Sequence, residues 1–254
     1  MKRFSLLLVV ILLAGCATTP LKPVAPENRN EVVVMGMIHS QHKTSRQYSL
    51  KVVEQWIRAI NPDYIMVEIP PDRIDTAVEQ FKQDGKVTEP RSVVFPEFTD
   101  VVLPLQREMH FKLIPVSAWT ADLARERTAL LNYWQHTRPD DTAEVNAGKN
   151  RMFGRMRELT GGDPRKMHTD EFDEIVKEGL EPYIRLFDPD LGDGGFTTIT
   201  AAHYRLIADA LDEHRGEHKR FLVMFRSWHK WFFLERLRKR DDIVVRNPTE
   251  FLDD

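Results

Sequence analysis

Two nearly unbroken apolar runs, far apart in the chain, constrain the fold more than any other feature. Val32, Val33, Val34, Met35, Met37 and Ile38 form one near the start, and Phe221, Leu222, Val223, Met224 and Phe225 the other near the end. A strand with one wet face alternates apolar and polar residues. Runs apolar at successive positions belong to strands covered on both sides, as in a parallel sheet flanked by helices. Each run leads into a histidine, His39 and His229, and a third, Tyr64-Ile65-Met66-Val67, ends at Glu68. Ligands of open parallel sheets bind beyond the carboxyl ends of the strands, so these ends could aim two imidazoles and a carboxylate into one crevice.

The intervening pattern predicts the class. Tyr48, Val52, Val53, Trp56, Ile57 and Ile60 have helical spacing over 46–60, and Asn61-Pro62-Asp63 stops that helix. A strand over 64–69 follows, then a helix to about 83 with Pro71 in its first turn. Residues 97–109 read as a helix kinked at Pro104, and 112–116 as a short strand carrying Pro115. The carboxyl-terminal part reads as a helix over 197–215, a strand over 220–225, a helix over 228–239 and a strand over 243–245. The expectation is an α/β domain over 31–254: a parallel or mixed central sheet flanked by helices. The charged stretch over about 120–187, poor in β-branched runs, is expected to be a helical insertion packed over the sheet. Asp188-Pro189-Asp190-Leu191-Gly192-Asp193-Gly194-Gly195 superficially suggests a calcium loop, but the spacing fails and the twelfth position lacks glutamate.

The amino terminus addresses the compartment. Met1-Lys2-Arg3 is basic, residues 4–13 are mostly apolar but too short to span a bilayer, and Leu13-Ala14-Gly15-Cys16 closes the segment. This resembles the signal and lipobox of bacterial lipoproteins. The resemblance implies removal of 1–15, a diacylglyceryl thioether on Cys16 and an acylated new amino terminus. Such a combination anchors stably to a membrane. Ala17 rather than aspartate after the cysteine points, by analogy with Gram-negative sorting, to the outer membrane facing the periplasm. Cys16 is the only cysteine, which excludes disulfides within the chain. Residues 16–30 read as a flexible tether. A net charge of −3 gives no electrostatic case for a nucleic-acid partner.

His39, Glu68, Ser117 and His229 fall at or just past expected strand ends, whereas His110, His203, His214 and His218 sit on or beside helices. Gly36-Met37-Ile38-His39, followed by a helix and then Val67-Glu68-Ile69-Pro70-Pro71-Asp72-Arg73, resembles the opening of the TraB, PrgY and Tiki proteins. The wider group includes erythromycin esterases and ChaN-like haem-binding lipoproteins, whose paired histidines His39 and His42 resemble. The family's second glycine and histidine have a counterpart in Arg226-Ser227-Trp228-His229, with Arg226 in the glycine's place. The resemblance covers roughly 31–73 and 219–252.

Such a site could run metal-assisted hydrolysis of a small-molecule or peptide substrate. His39 and His229 would bind a divalent ion, with Glu68 as third ligand or as the general base toward a metal-bound water. Arg73 could pair with Glu68 or stabilise an oxyanion, or be a surface residue beside Asp72 and Asp75. Arg226 could take the oxyanion role or hold an acidic substrate. His42, Ser117 and Trp119 are further candidates for the pocket wall. Ser117 lacks a Gly-x-Ser-x-Gly elbow, which weighs against a serine nucleophile. Similarity to erythromycin esterases leaves open a metal-free version in which His and Glu activate water directly. Two other readings stay open: a ChaN-like haem- or metal-binding lipoprotein with His42 or Tyr48 as axial ligand, and a structural lipoprotein without activity.

Overall fold

The structure, a computed structural model, describes residues 23–252; the signal-like segment, Cys16 and the first part of the tether lie outside the described residues. Its centre is a five-stranded, all-parallel sheet. The strands are β1 (Asn30–Met37), β2 (Tyr64–Val67), β3 (Lys112–Pro115), β4 (Arg220–Arg226) and β5 (Ile243–Arg246), in spatial order β3-β2-β4-β1-β5. β4, the last but one in the chain, takes the middle. Its Phe221, Leu222, Val223 and Phe225 are wholly buried, as expected for a strand apolar on both faces.

Alternation along the strands divides the core in two. Val33, Met35, Met37, Ile65, Val67, Leu222 and Met224 face one side. There they meet α1 (Leu50–Ile60), α2 (Ile74–Asp84), α3 (Leu103–Met109) and α6 (Asp170–Leu186). Val32, Val34, Tyr64, Met66, Phe221, Val223 and Phe225 face the other, against α8 (Phe196–Glu213) and α9 (Ser227–Leu237). The chain thus steps from β1 through β2 to β3 with helices on one face, then from β4 to β5 with α9 on the other. The winding reverses between β1, β4 and β2, and a crevice opens beyond their carboxyl ends.

Between β3 and β4 the chain forms α4 (Ala121–Thr137), α5 (Pro139–Thr160), α6, a single turn α7 (Asp188–Leu191) and α8. α6 is tied to α9 by the buried Asp173–Lys230 ion pair, at 2.6 Å. Removing one partner of such a pair would strand a charge at a cost of roughly 3–5 kcal/mol. The Asp188 carboxylate accepts hydrogen bonds from the Phe196 and Thr197 amides at 2.6 and 2.8 Å. The loop that superficially suggests calcium is therefore occupied in capping α8.

Several boundaries differ from expectation for local reasons. α1 starts at Leu50, because His39–Lys43 forms a 3₁₀ turn and the chain is irregular up to Ser49. α2 starts at Ile74, not at Pro71; the preceding turn is closed by the Arg73 amide on the Pro70 carbonyl, at 2.9 Å. Residues 96–109 are helical without a break, as expected around Pro104. A π-helical turn, Phe98–Val102, precedes it, so its missing N–H falls in the first turn of α3. Pro115 ends β3 on the sheet edge, opposite Val67, where a missing donor is tolerated. Among the described residues no helix is long and apolar enough to cross a membrane.

Gly36 lies where β1 touches the start of α9. A Cβ there would come within 2.9 Å of the Ser227 Cβ and 3.1 Å of its Cα, so the strand and helix approach closely only because the side chain is absent. We expect Gly36→Ala to force them apart and to lower stability by about 1–3 kcal/mol, measured as a shift in urea midpoint without change in slope.

Candidate active site

β1 ends at Met37, and two residues later His39 adopts a left-handed backbone with φ of 51°. This conformation is costly for a residue with a Cβ, on the order of 1–2 kcal/mol, and turns the imidazole back over the sheet rim. His39 Nδ1 lies 2.6 Å from Glu97 Oε1 and Nε2 lies 3.5 Å from Glu68 Oε2. The first is a short charge-assisted hydrogen bond; the second is long for a direct one. Glu68 follows β2 directly, and its Oε2 accepts the Arg226 backbone N–H at 2.8 Å. One carboxylate oxygen thereby joins the ends of β2 and β4.

His229 lies in the first turn of α9, 8% exposed, with Phe196 stacked on its ring at 5.0 Å. The Thr200 hydroxyl donates to the Phe196 carbonyl and lies 2.8 Å from His229 Nδ1. A hydroxyl has one proton to give, so the pattern assigns the imidazole proton to Nδ1 and leaves Nε2 unprotonated. His203 stands edge-on to His229, with ring centroids 5.4 Å apart, and its Nδ1 accepts the Ala118 amide at 2.8 Å.

His39, Glu68, Arg226 and His229 all line one cavity of about 500 Å³. Trp119 and Trp228 add to its wall, and the Arg226 guanidinium lies 4.3 Å from the Trp228 ring centre. The two histidines at the strand ends are in opposite electrostatic states. Burial opposes charging of His39, but Glu68 and Glu97 more than offset it and hold its pKa above the ordinary 6.5. Burial pushes His229 well below 6.5, assisted by His203 and Arg226, so it is neutral. Burial also takes His203 down to about 3. Glu68 is pushed up by burial, against the pull of His39 and of the Arg226 amide. His39 and Glu68 each act on the other's titration, so their protons belong to the pair rather than to either residue alone.

His39, Glu68 and His229 line the same cavity but are not gathered as ligands around one point in this structure. Among the described residues no three His, Cys, Asp or Glu side chains come close enough to chelate one. His39 is also engaged through Nδ1 by Glu97, and the Arg226 side chain brings positive charge to the same cavity. No reaction step is therefore assigned to a metal.

Four residues singled out in the sequence take other roles. Arg73 pairs with Asp72 at 3.1 Å and is 43% exposed, so it serves neither Glu68 nor the cavity. His42 is committed at both ring nitrogens, with Nδ1 2.7 Å from the Tyr48 carbonyl and Nε2 accepting the Ile38 amide at 3.1 Å. The Tyr48 hydroxyl donates to the Gly36 carbonyl at 3.1 Å and the residue is buried in the core. Neither His42 nor Tyr48 reaches the cavity as an axial ligand would; together they clamp the turn that carries His39. Ser117 is buried with its amide on the Ile69 carbonyl, and it does not line the cavity.

Glu97, Thr200, His203, Arg127 and Lys149 were not found by sequence reasoning. Glu97 had the one recognisable signal, a lone carboxylate in the apolar stretch Val93-Val94-Phe95-Pro96-Glu97-Phe98. It is 4% exposed, and its Oε2 has no hydrogen-bond partner among the described residues. Comparison with protein-family models, with curated proteins and with solved structures found no match to this chain.

A protonated His39 between two carboxylates favours the folded state. Because its folded pKa is raised, that contribution is full below pH 6.5 and is lost as pH rises through the elevated value. Glu97→Gln is expected to lower the His39 pKa by removing one of the two carboxylates that raise it. Titration of the His39 ring carbon by NMR in the two proteins would show the difference, and equal values would refute the pairing.

Proposed function

We propose that this cavity is the active site of a hydrolase in which Glu68 and His39 activate water and protonate the leaving group. The observation that carries the reading is the orientation of His39. Glu97 fixes its Nδ1, and its Nε2 is turned toward Glu68 inside a cavity large enough for a small molecule or the end of a peptide. Glu68, made more basic by burial, takes a proton from water as the water oxygen attacks an acyl carbon. His39, held in its charged form by two carboxylates, gives its proton to the departing oxygen or nitrogen. Arg226 supplies positive charge where the oxyanion develops. Net transfer is one water added across the bond, with the protons on Glu68 and His39 exchanged and then restored through solvent.

The similarity of Gly36-Met37-Ile38-His39 and of Glu68 to the TraB and erythromycin-esterase group supports the same reading, as does the histidine at 229. Placing this activity on a lipid anchor at Cys16, in the outer membrane facing the periplasm, is part of the proposal and rests on the lipobox resemblance. Cys16→Ser should leave the protein unlipidated by mass spectrometry and release it from the membrane fraction. A protein still acylated and sedimenting with membranes would refute the anchor.

A panel of chromogenic esters and amides tests the chemistry. His39→Ala and Glu68→Gln are each expected to lower kcat/KM by at least about a hundredfold, with circular dichroism establishing that each variant is folded. A bell-shaped profile is expected, with its alkaline limb above pH 6.5 from His39 and its acid limb above 4.5 from Glu68. Turnover unaffected by either substitution, or absent across the panel, overturns the reading.

A further inference from the structure

The proposed reaction uses one cation, Arg226, yet the cavity holds more. Arg127 of α4 and Lys149 of α5 both reach its wall, and Arg91 joins them from the loop after α2. Arg127 and Lys149 converge on one ring: the guanidinium carbon lies 5.7 Å and the ammonium 5.2 Å from the centre of Tyr183. Arg127 also lies 5.8 Å from the centre of Trp119. Among the described residues no carboxylate stands at ion-pair distance from Arg127, Lys149 or Arg226. Other arginines here do find such partners: Arg138 holds Asp141 and Asp190, and Arg220 holds Glu31.

Gathering half-buried cations without counter-charge is unfavourable. Lys149 shows it, its pKa lowered first by burial and then by Arg127 and Arg226. Tyr183 adds an independent sign. It is 3% exposed, it lines the same cavity, and its hydroxyl proton has no acceptor, the neighbour that approaches the oxygen being the Arg127 guanidinium, itself a donor. A buried hydroxyl beside two unpaired cations is a donor awaiting an acceptor. An anion there would satisfy all three groups at once, and the apolar walls would strengthen each contact.

We propose that the cavity binds an organic molecule through a doubly charged anionic group of the phosphate-ester type, held by Arg127, Lys149 and Tyr183, with Arg226 bordering it. Arg127, Lys149, Arg226 and the charged His39 outnumber the Glu68 and Glu97 carboxylates by two, which matches two negative charges better than one. The aromatic rings of Trp119, Trp228 and Phe196 would cover the organic part. The anionic group acts as a handle that places the scissile bond at His39 and Glu68. Calling the bound molecule a substrate rests on the hydrolase reading; the binding itself does not.

Calorimetric titration of the full protein with phenyl phosphate, benzoate and benzyl alcohol tests this. The three share a ring and carry two, one and no negative charges. Phenyl phosphate should bind at least about tenfold tighter than benzoate, weaken as salt rises, and exceed benzyl alcohol by more. Lys149→Met and Arg127→Met should each weaken phenyl phosphate binding by at least about tenfold, with Lys149→Arg largely restoring it. Circular dichroism melts establish that each variant is folded. Benzoate or benzyl alcohol binding as tightly as phenyl phosphate overturns the proposal, as does unchanged affinity in either methionine variant. Glu68→Gln, expected to be inactive as a hydrolase, should still bind phenyl phosphate. If the handle is correct and the hydrolase reading wrong, binding survives while no ester or amide is cleaved.

Discussion

Everything at the sheet rim depends on β4 being wedged between β1 and β2. A chain that ran its strands in order would leave His39 and Glu68 on neighbouring strands with nothing between them. Here the last long apolar strand enters the middle and delivers a peptide N–H, that of Arg226, to the Glu68 carboxylate. Two demands meet in that contact. The core requires a strand apolar on both faces to be covered on both, and the helices on either side of the sheet cover β4 in this way. The rim requires a buried carboxylate to have a partner. Gly36 completes the arrangement, since the bare backbone lets α9 begin against β1 with no intervening loop.

The rim is also sorted electrostatically. His39, beside two carboxylates, favours its charged form, while His229, walled by Phe196 and by the neutral His203, favours the uncharged one. Two histidines in equivalent places, just beyond strand ends, thus differ because their neighbours differ. Cations come from the helices inserted between β3 and β4, acids from the strand ends and from Glu97. The crevice is accordingly a junction between a sheet that supplies proton-carrying groups and a helical layer that supplies positive charge.

The long strands were legible because they are apolar at nearly every position, and their burial on both faces follows from that. Strand ends were legible too, and this brought His39, Glu68, Arg226 and His229 into view before any coordinates. Where local signals compete, the sequence was harder to read. Pro71 carries a helix-start preference, but a turn closed on Pro70 comes first. Arg73 is only a few residues from Glu68 in sequence, yet it turns to Asp72, because the turn after β2 points it outward. His42 resembles half of a ligand pair until both its nitrogens are seen to serve the backbone. Glu97, Arg127, Lys149 and Tyr183 come from segments whose route across the rim is set by long-range packing. Charge and helical spacing in a single chain carry no trace of that route.

The left-handed backbone at His39 has a consequence for how such a chain can change. Glycine or asparagine would relax that position, so selection for thermal endurance alone would steadily replace the imidazole. The histidine stands at the least comfortable point of its loop, pinned by the Glu97 carboxylate on one side and by the turn that His42 clamps on the other. Descendants freed from whatever work this residue does should drift there first, and the loss of a side chain at this one site would mark them out.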